Sequence, residues 1–180
     1  MKVSRKQVAE NRERIVEQAA RLFREHGVAG VGVGEITAAA GLTHGGFYRQ
    51  FDSKDALFAE ACAVALKDAE TQLAVALQKP EGVRAFTQSY LRSEHVTGPS
   101  RCPMVTLATD ATRTGAPSQA AFAKGLRAFL AGGQGMESGA PNWNETTAAL
   151  AAAIGAMLMA RAVAGADPAL AEAIVDAVRP

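Results

Sequence analysis

A chain of 180 residues, 48% hydrophobic and with 19 Lys+Arg against 18 Asp+Glu, carries enough apolar material for a sizeable core and too little net charge to identify a partner. Its two cysteines, Cys62 and Cys102, form neither a CxxC pair nor a cluster with histidines, which points away from a disulfide scaffold, a metal site or a bound cofactor. The first residues are too charged for a signal peptide, and no apolar run reaches the roughly 18 residues of a membrane span, so a cytoplasmic chain without membrane contact is expected.

Charge is distributed unevenly. Residues 1–54 hold nine Lys/Arg and six Asp/Glu, whereas residues 55–180 hold ten and twelve. A mildly basic head on a slightly acidic body is compatible with nucleic-acid contact through the head.

In chain order, apolar residues at Val8, Ile15, Ala19, Leu22 and Phe23 predict an amphipathic helix from about Lys6 to His26, stopped by Gly27. "EITAAAG" predicts one or two helical turns ending at Gly41. Thr43 is placed to cap a short helix from His44 to about Gln50, and Asp52 or Ser53 to cap a long helix reaching roughly Gln78. Helical patterns resume at about 83–96, 103–113, 118–130, 143–164 and 168–178, with a Gly-rich linker at 131–142. Nothing alternates with the period of a half-buried strand, so the fold class expected is all-α, with about nine helices. The alanine-rich stretch Thr146–Ala164 comes nearest to a membrane span. Alanine is weakly hydrophobic and Arg161 interrupts its far end, so a buried helix is the better reading.

The most unusual stretch is "GLTHGGFYRQF", residues 41–51. Two short helices joined by a tight turn, after a longer one, make a helix-turn-helix unit whose second helix fits the DNA major groove. Gly41 would supply the left-handed turn, and Gly45 and Gly46 would remove bulk where the helix nears the duplex. Phe47 and Phe51 are four apart and expected to face inward. Tyr48 and Arg49 then point outward as phosphate or base-edge donors, beside Thr43 and His44. Lys54, in the first turn of the next helix, is placed to grip a phosphate together with exposed backbone N–H groups.

"AAAGLTHGGFYRQFDSKDAL" resembles the signature of the TetR family of bacterial transcription regulators. Gly41, Leu42, Thr43, Gly45, Phe47, Tyr48, Phe51, Ser53, Lys54 and Leu57 all fall where that pattern expects them. Two positions depart from it. Gly32 stands where Ser or Thr often caps the first helix of the motif, and Gln50 where His is frequent. The resemblance is specific over about residues 10–60. It implies a DNA-binding head over 1–54 and a ligand-binding, dimerising body over 55–180. The implied function is that of a regulator, by family habit a repressor, holding a double-stranded DNA operator until a small-molecule effector or a thiol modification releases it.

Within that body, Phe86, Tyr90, Met104, Leu107, Phe122 and Leu126 are candidates for an effector pocket, with Phe129 beside them. A homodimer contact is expected over about 143–178, where Ala149, Ala152, Ala153, Gly155, Ala156, Ala160 and Ala164 offer close helix approach. Cys102 follows Arg101 at a helix start, where a cation and backbone N–H groups favour thiolate, so it is a candidate redox sensor. Two rival readings are a dimeric small-molecule-binding protein without DNA function and a thiol-dependent enzyme using His95 and Cys102. No third catalytic group accompanies that pair, and no catalytic residue is assigned.

Overall fold

The computed structural model describes residues 4–79, 81–98, 102–132 and 143–180. Most of the expected linker at 131–142, and Arg101, lie outside the described residues. Those described form α1 (Arg5–His26), α2 (Val33–Ala39), α3 (His44–Phe47), α4 (Lys54–Leu77), α5 (Gly82–Tyr90), α6 (Ser93–Thr97), α7 (Pro103–Thr114), α8 (Ala116–Leu130), α9 (Trp143–Val163) and α10 (Pro168–Asp176), with no strand among them.

Local chemistry sets the helix ends. Ser4, which sequence reading passed over, caps α1 by accepting from Gln7 N at 3.1 Å. Ser53, rather than Asp52, caps α4, its Oγ accepting from Ala56 N at 3.0 Å. Asp167 accepts from Leu170 N at 2.9 Å, with Pro168 pre-set in the first turn of α10. The segment read as one helix over 83–96 is two. Leu91 leaves the helical register (φ −86°, ψ 26°) and Arg92 is extended, while the Leu91 side chain is wholly buried in the smaller of the two apolar cores.

One apolar core joins head and body. It runs from Ile15, Phe23 and Ile36 through Phe47, Phe51 and Phe58 to Leu107, Phe129 and Leu150. The α4 helix is its axis, packing on α1 towards the head and most extensively on α8 in the body. A second, smaller core lies between α9 and α10, where Ala153, Ala156, Met157 and Ala160 meet Ala171 and Val175.

The α9 helix is long and apolar enough to cross a membrane by length and composition, with a mean hydropathy of 1.6 over its most apolar window. Its inner face packs on α10, α5, α6 and α7. The expectation of a buried helix therefore holds for one side only, since Ala152, Leu158 and Met159 are exposed.

Candidate nucleic-acid interface and body cavity

Gly41 takes φ +68°, the left-handed turn expected of it, and Leu42 N then closes back on Thr37 O at 2.8 Å. This sends the chain into α3. The helix is one turn long, with Thr43 as its cap residue although the Thr43 side chain makes no capping bond. Gly32 caps α2 and likewise brings no side-chain bond.

Phe47 and Phe51 are buried and stacked, with centroids 5.6 Å apart. Arg12 of α1 lies over Phe51 at 4.0 Å, donates to the carbonyl of Gln50 and pairs with Glu60 of α4. One guanidinium thus ties α1, the end of the α3 turn and α4 together. Gln50 faces the protein, its amide donating to Val8 O at 3.3 Å.

On this anchored base the polar groups point away. Tyr48 is 61% exposed, flanked edge-on by His44 at 5.6 Å and Phe47 at 5.1 Å. Thr43, His44, Gly45 and Arg49 are exposed, while Gly46 and Lys54 are partly so. A methyl added at Gly45 would meet nothing within 4 Å, and one at Gly46 would make only ordinary contact with Thr43. The chain's own packing therefore does not require glycine at either place.

A partly open cavity of about 740 Å³, within the range of small-molecule sites, lies where α1 meets the body helices. Of the expected pocket residues, Phe86, Tyr90 and Met104 line it, as do Phe129 and Cys102. Leu107 is fully buried in the core, and Phe122 and Leu126 pack against that core without lining the cavity. Sequence reading missed the charged part of the lining: Arg21 and Arg24 from α1, Asp68 from α4, and Arg161 from α9. Arg21 pairs with Glu25 at 3.0 Å and Arg24 with Asp68 at 3.6 Å. No period marks such residues, because they come from three helices that meet only in the fold.

Arg161 Nη1 donates to His95 O at 2.5 Å and Gly98 O at 2.8 Å. The Tyr90 ring is stacked with both His95 and Phe86, each 6.0 Å away between centroids. Its buried Oη has no hydrogen-bond partner of good geometry among the described residues, although Cys102 lies beside it. Burial pushes the Tyr90 phenol well up from its usual value, and the neighbouring thiol adds to this.

Cys102 caps α7. Burial raises its thiol pKa above the ordinary value. The Tyr90 hydroxyl, the Val105 and Met104 backbone and Arg161 all pull the other way. The backbone at the helix start favours thiolate as expected, the cation that does so is Arg161 while the expected Arg101 lies outside the described residues, and desolvation outweighs both. Cys62, buried in α4, is pushed up to about 11 by burial.

Leu158 and Met159 of α9, 52% and 53% exposed, and Leu170 of α10, 46% exposed, are apolar groups on the surface of the single chain. Three of the seven small residues expected at a dimer contact are used inside the subunit: Ala153, Ala156 and Ala160 are buried in the core shared with α10.

Residues 15–61 match the family described as bacterial regulatory proteins, tetR family. Over 57 residues the chain is 40% identical to the HTH-type transcriptional regulator AcrR of Shigella flexneri; the match spans 32% of this chain and 26% of that protein. It therefore spans about a quarter of that relative's length. The fold is similar to that of E. coli NemR in its reduced form, at a TM-score of 0.70 and 22% identity, covering 94% of this chain and 95% of that one. It is also similar to RolR in complex with resorcinol, at a TM-score of 0.54 and 20% identity, covering 97% and 90%. These structural likenesses concern the fold. The sequence match lies on the helix-turn-helix segment, and it is this head that is similar to the tetR family of bacterial regulatory proteins.

Proposed function

We propose that the protein is a homodimeric transcriptional regulator that holds a two-fold DNA operator through Thr43, His44, Gly45, Gly46, Tyr48, Arg49 and Lys54, and leaves it when a small molecule occupies the body cavity. The observation that carries this reading is the division of one short segment. Phe47 and Phe51 are buried while Tyr48 and Arg49 between them are exposed, on a base locked by Arg12. A rigid base with outward donors is what groove recognition needs, because phosphate contacts fix the register and base-edge contacts then specify the sequence. Lys54 opens α4, where free N–H groups and an ammonium together suit a phosphate.

Two heads must reach successive major grooves about 34–36 Å apart, so the reading requires a pair of chains. The outer face of α9, with Leu158 and Met159, and Leu170 of α10 supply apolar surface for that pairing. Arg24 of α1 and Asp68 of α4 both line the cavity, so its occupant touches the two long helices that carry the head. A ligand that fits better when these helices tilt shifts the population towards heads spaced wrongly for DNA. The solved relative carrying resorcinol supports a small-molecule occupant for a body of this fold.

The test is a mobility-shift titration of DNA from upstream of the protein's own gene across a range of salt. Binding that weakens steeply and log-linearly with salt supports the reading, since several phosphate contacts release several counterions. No shift at low salt, or an affinity indifferent to salt, overturns it.

A further inference from the structure

One wall of the cavity is a run of rings that begins beside Arg161. From Arg161, the wall passes to His95, whose carbonyl Arg161 binds, then to the stacked rings of Tyr90 and Phe86, and on to Phe129, edge-on to Phe86 at 6.2 Å. The Phe86 and Tyr90 rings are within 10° of parallel. Such a surface suits a flat aromatic molecule, which gains both apolar burial and ring contact along it.

The polar groups at the Arg161 end are donors. Tyr90 Oη is buried with only the Cys102 sulfur beside it and no oxygen acceptor among the described residues, Cys102 carries a protonated thiol, and Arg161 uses only Nη1 on the backbone carbonyls. The remaining guanidinium N–H groups have no acceptor among the described residues. The other two arginines of the lining are paired with Glu25 and Asp68, whereas no carboxylate of the described residues pairs with Arg161. A ligand group placed there meets donors and one uncompensated positive charge. An acceptor with negative charge satisfies both, and an amine satisfies neither.

Resting on the regulator reading above, we infer that the effector is a flat aromatic anion, its carboxylate or equivalent acceptor held by Arg161 and Tyr90 and its rings lying along Phe86 and Phe129. The ligand class follows from the sign of the donors, and the shape from the wall.

The experiment is titration calorimetry of the full-length protein with three probes of one shape: 2-naphthoate, 2-naphthalenemethanol and 2-naphthylmethylamine. The naphthoate is expected to bind about tenfold or more tighter than the alcohol, the size of one charge-assisted hydrogen bond, and the amine weakest. Arg161→Gln is expected to remove most of that preference while leaving the alcohol within about twofold. Arg161→Lys retains the preference in part, and Tyr90→Phe weakens naphthoate several-fold. Since Arg161 also holds two backbone carbonyls, retained alcohol binding and an unchanged helical circular dichroism spectrum certify the fold of each variant. Naphthoate binding no tighter than the alcohol, or an Arg161→Gln variant that weakens both equally, overturns the inference. In a parallel mobility-shift assay, a neutral or cationic probe that releases DNA leaves the regulator reading intact while the anion preference falls. Failure of the ligand-free protein to bind DNA at low salt removes the regulator reading itself.

Discussion

Asp110 of α7 reaches back to the end of α1: its carboxylate Oδ2 accepts from Val28 N at 2.8 Å and lies against Gly27. Two turns earlier the same helix begins at Cys102, Pro103 and Met104, which line the cavity. One rigid helix thus connects the ligand wall to the junction between the first two helices of the head. Asp110→Ala leaves the nearly buried Val28 N–H without its acceptor, at a cost of about 1–3 kcal/mol. The expected results are a lower melting temperature and weaker operator affinity, with Asp110→Asn, whose amide oxygen can still accept, intermediate. An Asp110→Ala variant that melts and binds DNA like the parent removes this helix from the coupling route.

Arg49 and Tyr48 give a contrasting expectation. Both are exposed, so Arg49→Ala and Tyr48→Phe leave thermal unfolding nearly unchanged. Arg49→Ala is expected to weaken operator binding by roughly 1–3 kcal/mol. If Arg49 reads a base, the loss falls on the specific site alone. If it holds a phosphate, specific and random DNA weaken together and the salt slope drops by about one. Unchanged affinity in both variants would place DNA contact elsewhere.

Arg12 behaves the opposite way. Its guanidinium covers Phe51, binds the Gln50 carbonyl and pairs with Glu60, and the last pair is partly exposed and screened. Arg12→Met keeps a stem to cover the ring but abandons the carbonyl. A loss of about 1 kcal/mol in unfolding free energy is expected, together with weaker DNA binding through a loosened α3. Chemical denaturation followed by head-specific hydrogen exchange measures both.

Thiol reactivity follows from burial. Cys102 is held protonated at neutral pH, so iodoacetamide should modify it more slowly than a free cysteine, with a rate still climbing above pH 9. Faster modification than a free thiol at pH 7 contradicts this and restores the sensor reading. Cys62 should react only on unfolding. Its folded pKa, about 11 against an ordinary 9.0, means the folded state prefers the protonated thiol. That contribution to stability is complete below pH 9 and is lost as pH rises towards 11.

The head was legible in the sequence because its signals are local. Gly41, the Phe47/Phe51 spacing and the Ser53 cap each act within a turn or two, and each element starts where those residues place it, although α3 ends at Phe47 rather than near Gln50. The cavity was legible only in its aromatic half. Phe86, Tyr90 and Met104 fall on ordinary apolar faces, whereas Arg24, Asp68 and Arg161 read as solvated charges until α1, α4 and α9 are brought together. The break at Leu91 was invisible for a related reason. No glycine or proline marks it, and the burial of the Leu91 side chain among residues of α9 and α10 is seen only in the fold.

Gly125 is a case where a lone residue inside a helical pattern has a packing cause that sequence alone does not give. It lies in α8 where that helix crosses α4, and a methyl built there would come within 2.6 Å of Leu66 Cβ. Leu66 Cβ is fixed to the α4 backbone and its side chain is wholly buried, so the helices must separate to admit the extra carbon. Alanine has the better helix propensity by up to about 1 kcal/mol, which would make Gly125→Ala stabilising if the helix stood alone. Overpacking costs typically about 1–3 kcal/mol and opposes that gain. The balance predicts a net destabilisation in denaturant unfolding, relieved only in part when Leu66→Ala is added, because alanine removes the Cδ1 contact at 2.6 Å and keeps Cβ. A double-mutant cycle in which the two changes are simply additive would show that α4 and α8 do not meet at this point.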